Sequence, residues 1–276
     1  MDNLDLKKIA NELRKNVITA TFYAKSGHPG GSLSAADILT YLYFEEMNVD
    51  SQRAGDENRD RFVLSKGHAA PALYSVLALK GYIPVDDLKT LRHIDSYLQG
   101  HPDMKHTPGV DMSSGSLGQG ISAAVGMALS AKVQHKDFRV YAMLGDGELQ
   151  EGQVWEAAMF AGSHALDNLT VIIDNNNLQI DGSVAEICSP YPIDKKLEAF
   201  NFHVININAH DFNEIRAAFK EARTIKQYPT AIVAKSVKGK GVSFMENIVG
   251  WHGKAPNEDE YKQAMTELEK NGEALV

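Results

Sequence analysis

Between Phe138 and Gly182, two short apolar runs flank one stretch of helical periodicity, and this arrangement constrains the chain more than any other segment. The run V-Y-A-M-L over 140–144 stops at Gly145-Asp146-Gly147, as expected of a strand buried on both faces and ended by a turn. Val154, Ala157, Ala158, Ala161 and Ala165 recur at helical spacing, and 169–173 is a second strand-like run ending in Asp174-Asn175-Asn176-Asn177. A strand, one crossover helix and a strand of this length pair in parallel through a right-handed connection. Both strand ends then share one sheet edge. The predicted fold is α/β, a parallel sheet with helices on both faces.

At that edge Asp146 meets the asparagine cluster, with 30 positions separating Asp146 from Asn176. Ligands of open α/β sheets bind there, and a helix starting after Gly147 can turn backbone N–H groups toward an anion. A carboxylate and an amide beside an anion suit a hard cation such as Mg²⁺ or Ca²⁺, with a diphosphate supplying further negative oxygens. Gly145 and Gly147 let the backbone approach phosphates closely. Either half alone reads equally well as a tight turn; their meeting on one β-α-β unit favours a metal-diphosphate site. Gly-Asp-Gly followed by Asn at this distance resembles the cofactor motif of thiamine diphosphate enzymes. The string G-D-G-E-L-Q-E-G-Q-V-W-E-A resembles transketolases in particular.

The 276 residues are 43% apolar and 23% charged, with a net charge of −8 and no sustained basic stripe, which argues against nucleic acid as a partner. With no long apolar span, no N-terminal signal pattern and a single cysteine, the expectation is a cytoplasmic protein that engages no membrane. Cys188 lacks an evident base partner and is expected to be a buried or passive thiol.

Along the chain, Leu6, Ile9, Ala10, Leu13, Val17 and Ala20 mark a helix running to about Ala24. Four histidines then occur beside glycine in punctuated segments: His28 in S-G-H-P-G, His68 in S-K-G-H-A, His101 in G-H-P-D and His252 in W-H-G. The 26–31 segment is expected to be irregular, 84–92 helical, and 113–120 the glycine-rich opening of another helix. Singly, each histidine reads as a hydrogen-bonded loop residue; as a set they suit proton exchange with sugar hydroxyls. No zinc spacing is present. The order Gly-x-x-Gly-x-Gly over 115–120 departs from a dinucleotide loop, leaving close helix packing or contact with a cofactor ring. K-S-V-K-G-K-G over 235–241 lacks Walker spacing and reads as a phosphate loop or a solvated turn.

The four histidine segments and the G-S-L-G-Q-G loop also resemble transketolase segments, in the family's order, over nearly the whole chain. The resemblance implies a thiamine diphosphate-binding fold, residues 1–276 forming one diphosphate-binding domain, with the pyrimidine-binding and C-terminal domains on a separate chain. It implies metal ligation by Asp146, Asn176 and the Leu178 carbonyl, with Asn175 or Asn177 as slips of register. Gly145, Gly147 and His68 would approach the diphosphate, Gly115, Leu117 and Ile180 the ring system, and His252 would touch both cofactor and substrate. His28, His101 and His252 would line the substrate channel; Glu151 and Glu156 resemble interface acids. The implied activity is transfer of a two-carbon ketol group between sugar phosphates, as in the pentose phosphate pathway. It would use thiamine diphosphate and Mg²⁺, Ca²⁺ or Mn²⁺ in an α2β2 assembly with the partner subunit. The alternatives are the α subunit of a 2-oxo acid dehydrogenase type of enzyme and a non-catalytic cofactor-binding chain.

Overall fold

The computed structural model describes residues 1–275. Five strands, β1 (Arg61–Leu64), β2 (Val140–Gly145), β3 (Leu169–Asn175), β6 (His203–Asn208) and β7 (Thr230–Lys235), form one sheet in the order β1-β2-β3-β7-β6. Every neighbouring pair is parallel. Beyond the end of β3, β4 (Leu178–Gln179) and β5 (Gly182–Ser183) make a small antiparallel hairpin that leads into α7 (Val184–Cys188).

Alternation along the strands divides the core in two. On β2, Tyr141 and Met143 face a layer containing α1 (Asn3–Ala24), α2 (Pro29–Ser34), α3 (Ala36–Tyr41), α4 (Ala70–Leu79), α9 (Phe212–Thr224) and α10 (Glu258–Glu273). Val140, Ala142 and Leu144 face α5 (Gln119–Val133), α6 (Gly152–Ser163) and α8 (Ile193–Ala199). Side chains two apart share a face, so a strand apolar at every position is one covered on both sides. The layer on the α1 side rests on long aliphatic residues such as Leu6, Leu13 and Val17, all fully buried. Leu13→Ala there would cost about 2–5 kcal/mol through lost transfer energy and a residual cavity.

Three local expectations change. Residues 29–34 are helical: Pro29 occupies the first turn, where its missing N–H costs nothing, and Gly30 lies so close to Trp251 that an added Cβ would be 2.8 Å from the Trp251 carbonyl oxygen. The 84–92 segment is only a 3₁₀ turn over Val85–Thr90, with Leu88 its one buried residue, too narrow an apolar face to carry a longer helix. After Gly147 the chain first makes a 3₁₀ turn over Gly147–Gln150, and the α-helix begins at Gly152. The expected helix start is therefore displaced from Asp146. Cys188 is exposed.

Candidate active site

In the register of β2 and β3, Gly145 lies beside Asp174, which brings Asp146 and the turn after β3 to one edge of the sheet. Asp146 is 1% exposed. One carboxylate oxygen accepts the Gly147 N–H at 2.8 Å and the other the Asn177 N–H. Burial, then the charge of Asp174, push its carboxyl up to about 6. Asn176 is buried, whereas the Asn175 side-chain oxygen accepts the Tyr191 O–H at 2.6 Å, and Asn177 is exposed with φ 60°. The Asn176 amide nitrogen donates to Asp174 at 3.2 Å and its oxygen accepts the Leu178 N–H at 3.1 Å, so the network sets which way the amide faces.

The Leu178 carbonyl accepts from Lys238 Nζ at 2.8 Å. An ammonium is thus already seated at this edge, where Asp146 and Asp174 favour its charge. A carboxylate, an amide oxygen and a main-chain carbonyl are all hard donors, the set a Mg²⁺ or Ca²⁺ ion takes. Among the described residues, no group of three or more His, Cys, Asp or Glu could hold a metal. With one carboxylate in the set, a cation here needs oxygens from a ligand such as diphosphate, and the residues fit a metal-diphosphate pair on those terms.

Asp174, 3% exposed, accepts from four side chains: Lys66, Ser236, Asn176 and, at 2.6 Å, Ser34. Lys66 is equally buried and also reaches the Gly31 carbonyl at 2.8 Å. Glu148, from the same G-D-G-E string, accepts the Ser65 hydroxyl and the N–H groups of Gly118 (2.9 Å) and Gly145 (3.1 Å). It ties the ends of β1 and β2 to the loop before α5. The Gly145 N–H is therefore taken by Glu148, and Gly147 lies against Gln179 of the hairpin.

The loop histidines converge in part. His28 precedes α2, His68 lies in the 3₁₀ turn Gly67–Ala69 after β1, and His252 ends the 3₁₀ turn Val249–His252. Their ring centroids are 5.0 Å apart for His68 and His252, 5.4 Å for His28 and His68, and 5.5 Å for His28 and His252. Burial, then cationic neighbours, hold all three neutral: Arg92 helps push His28 down to about 4, Lys238 His252 to about 3, and Lys66 drives His68 well below its ordinary value. Lys238 itself is pushed down to about 8 by burial and Lys66. Its Nζ lies 2.9 Å from His252 Nδ1, so Nδ1 accepts and the neutral ring carries its proton on Nε2. The buried Nδ1 of His28 has no hydrogen-bond partner among the described residues.

His101 stands apart from this cluster. It is exposed and packs on Gly115, whose φ of 151° and lack of a side chain allow the contact; an added Cβ would be 3.0 Å from its ring. Close packing explains Gly118 and Gly120, which abut Glu151 and Ser65, whereas Gly115 and Leu117 are only partly buried at the rim. Ile180, at the hairpin tip, is 62% exposed, and Glu151 and Glu156 are exposed on or beside α6. The 235–241 segment is no solvated turn at Lys238, which is 2% exposed. Lys66, Asp174, Glu148 and Lys238 were not singled out from sequence. A charged residue at a buried strand end was the available signal for the first three.

Residues 6–274 match the family model described as transketolase, thiamine diphosphate binding domain. The chain is 46% identical over 269 residues to the 6-deoxy-6-sulfo-D-fructose transketolase subunit of Clostridium sp. (strain MSTE9), covering 98% of each. It is 38% identical over 275 residues to an apulose-4-phosphate transketolase subunit of Phocaeicola vulgatus, covering 100% of this chain and 97% of that one. Mouse transketolase is 45% identical over 268 residues, but the match spans only 42% of its length. Among solved structures, the transketolase of Campylobacter jejuni superposes with a TM-score of 0.92 at 35% identity, over all of this chain and 46% of that one.

Proposed function

The chain belongs to the transketolase thiamine diphosphate-binding family, whose members carry out two-carbon transfer, and from that membership we propose that it is the diphosphate-gripping subunit of a split transketolase. The observation that carries the reading is the group of three neutral imidazoles beside an oxygen-donor set and two buried lysines. A metal-diphosphate anchor alone would suit any thiamine enzyme. The imidazoles add hydrogen-bonding groups suited to a polyhydroxylated substrate.

In this reading Asp146, Asn176 and the Leu178 carbonyl hold the divalent ion, and Lys238, His68, Gly145 and Gly147 face the diphosphate. Lys66 adds positive potential from its pair with Asp174. Gly115, Leu117 and Ile180 border the ring system. Bound thiamine diphosphate supplies the electron sink for breaking and making the ketose carbon–carbon bond. His252 offers its Nε2 proton to a substrate oxygen, because Nδ1 is engaged by Lys238. His28 offers its unsatisfied Nδ1, and His101 extends the row toward the rim. Each neutral ring presents one N–H donor and one lone-pair acceptor to substrate oxygens, and a ring that takes up a proton becomes a cation disfavoured beside the lysines, which favours its return.

A second chain carrying the pyrimidine-binding domain, its activating glutamate and the grip on the sugar's far end would complete a cytoplasmic α2β2 enzyme, with Glu151 and Glu156 at the interface. That far end is a phosphate in ordinary donors; the similarity to a sulfosugar transketolase subunit makes a sulfonate-ended ketose the second donor to consider. The test is co-expression with such a partner chain and a ketol-transfer assay comparing xylulose 5-phosphate, 6-deoxy-6-sulfofructose and pyruvate. Transfer from either sugar is expected only from the complex with added thiamine diphosphate and Mg²⁺. Turnover of pyruvate alone would favour the 2-oxo acid enzymes, and a complex that binds cofactor without turnover would favour a non-catalytic chain.

A further inference from the structure

His210 belongs to none of the groups above, yet it is held like a functional residue. It lies between β6 and α9, with its side chain 13% exposed. Its Nδ1 is 2.7 Å from the Asp37 carboxylate, and its Nε2 is 2.9 Å from the Val237 nitrogen. A backbone N–H can only donate, so Nε2 accepts and the ring proton sits on Nδ1, donated to Asp37. Asp37, 5% exposed on α3, is also paired with Arg14 of α1 at 2.5 Å. Burial alone would raise the Asp37 carboxyl; the Arg14 charge and the His210 hydrogen bond overcome it and hold the group far below the usual carboxylate range.

An aspartate–histidine pair is often a proton-transfer device, but here both ring nitrogens are engaged, the far one by a main-chain amide. What remains is geometry. Val237 is preceded by Ser236, whose hydroxyl is held by Asp174, and followed by Lys238, whose carbonyl accepts the Asn247 N–H at 2.9 Å. The lysine stem is long, and its ammonium reaches a defined point only if the main chain beneath it is fixed. The structure assigns His210, oriented by Asp37 and Arg14, as a positioning residue that sets the backbone under Lys238 for its reach to the diphosphate. This rests on the reading of Lys238 as a phosphate-binding residue.

The test is calorimetric titration of the complex formed with the partner chain, in Mg²⁺, with thiamine diphosphate and with thiamine monophosphate. His210→Leu leaves Arg14 and Asp37 paired while removing both the acceptor for the Val237 N–H and the Nδ1–H donor to Asp37. It should weaken thiamine diphosphate binding about tenfold while changing the monophosphate less than about twofold. His210→Gln, which returns an acceptor oxygen, should recover most of the loss. Unchanged diphosphate binding in His210→Leu, or equal weakening of both ligands, overturns the assignment. Should His210→Leu fail to fold, imidazole ¹⁵N shifts and amide exchange in the wild-type complex decide: an unprotonated Nε2 and a protected Val237 amide are required, and either one missing overturns it. A wild-type complex that binds neither ligand would instead take down the underlying reading of Lys238.

Discussion

Where β2, β3 and β7 end, the charged side chains find their partners inside the chain: Asp174 with Lys66 and two serines, Glu148 with a hydroxyl and two amides, Lys238 with a carbonyl and a ring nitrogen. At the rim a few residues away, Leu117 is half-buried, while Ile180, His101, Glu151 and Glu156 are exposed. The two regions differ in what fixes them. A buried charge must be matched by the fold itself, because an unpaired one costs several kcal/mol, whereas an exposed side chain is left for other surfaces to define. The strand-end region, proposed to hold the diphosphate, should therefore be pre-organised and sensitive to single changes, and the rim tolerant in stability but decisive for what is bound across it.

Removing a ligand from the buried end is the strongest way to break this contrast. Asp146→Ala is expected to weaken Mg²⁺–thiamine diphosphate binding by at least about 100-fold in a calorimetric titration, while thermal stability holds or rises, since the ionised carboxylate is disfavoured in its buried setting. Retention of wild-type affinity would remove the metal reading.

Lys238→Met should come next. The fold already depresses this lysine, to about 8, so an apolar stem of similar length should leave the melting temperature unchanged or higher while diphosphate affinity falls about 10- to 100-fold. A drop in melting temperature with affinity intact would make Lys238 a structural residue.

At the rim, Ile180→Ala should shift stability by less than about 0.5 kcal/mol, because the side chain is 62% exposed, yet reduce ketol transfer by the complex a few-fold. An equal loss in stability and turnover would erase the distinction between the two regions.

The smallest effect concerns pH. His28 is held at about 4 in the folded chain against 6.5 ordinarily, so on acidification the unfolded chain takes up the proton first. Its contribution to stability is complete above about 6.5 and is lost as pH falls toward 4; His28→Phe should flatten that slope slightly in denaturant titrations, since a half-buried ring feels solvent screening. NMR titration should find the His28 and His252 rings neutral down to about pH 5.

Much of the geometry at these strand ends was legible because strand periodicity, glycine punctuation and strand-terminal Asp146 and Asn176 are local patterns. The β-α-β unit, the parallel sheet and the helices on both faces follow from the same period-two runs that fill the two core layers. The helix over 29–34 escaped because its glycines are read as breakers, while the reasons for them are distant in sequence: Gly30 lies against Trp251, more than 200 positions away, and Gly31 against His68. Lys238 escaped for a similar reason. A lysine in a Gly-containing turn is ordinarily solvated, and here the hairpin after β3, the His252 turn and Gly30 of α2 cover it.

From its residues alone the chain determines which strands form, which of their faces are apolar, and that an aspartate and an asparagine end two neighbouring strands, because these depend on spacing along a few residues. Tertiary structure decided that His28, His68 and His252 form one cluster while His101 stands outside it, that Asn176 is the buried asparagine, and that His210 reaches the main chain beside Lys238. Those contacts join distant segments, and their protonation and orientation follow from burial and neighbouring charge, quantities that exist only once the layers have closed.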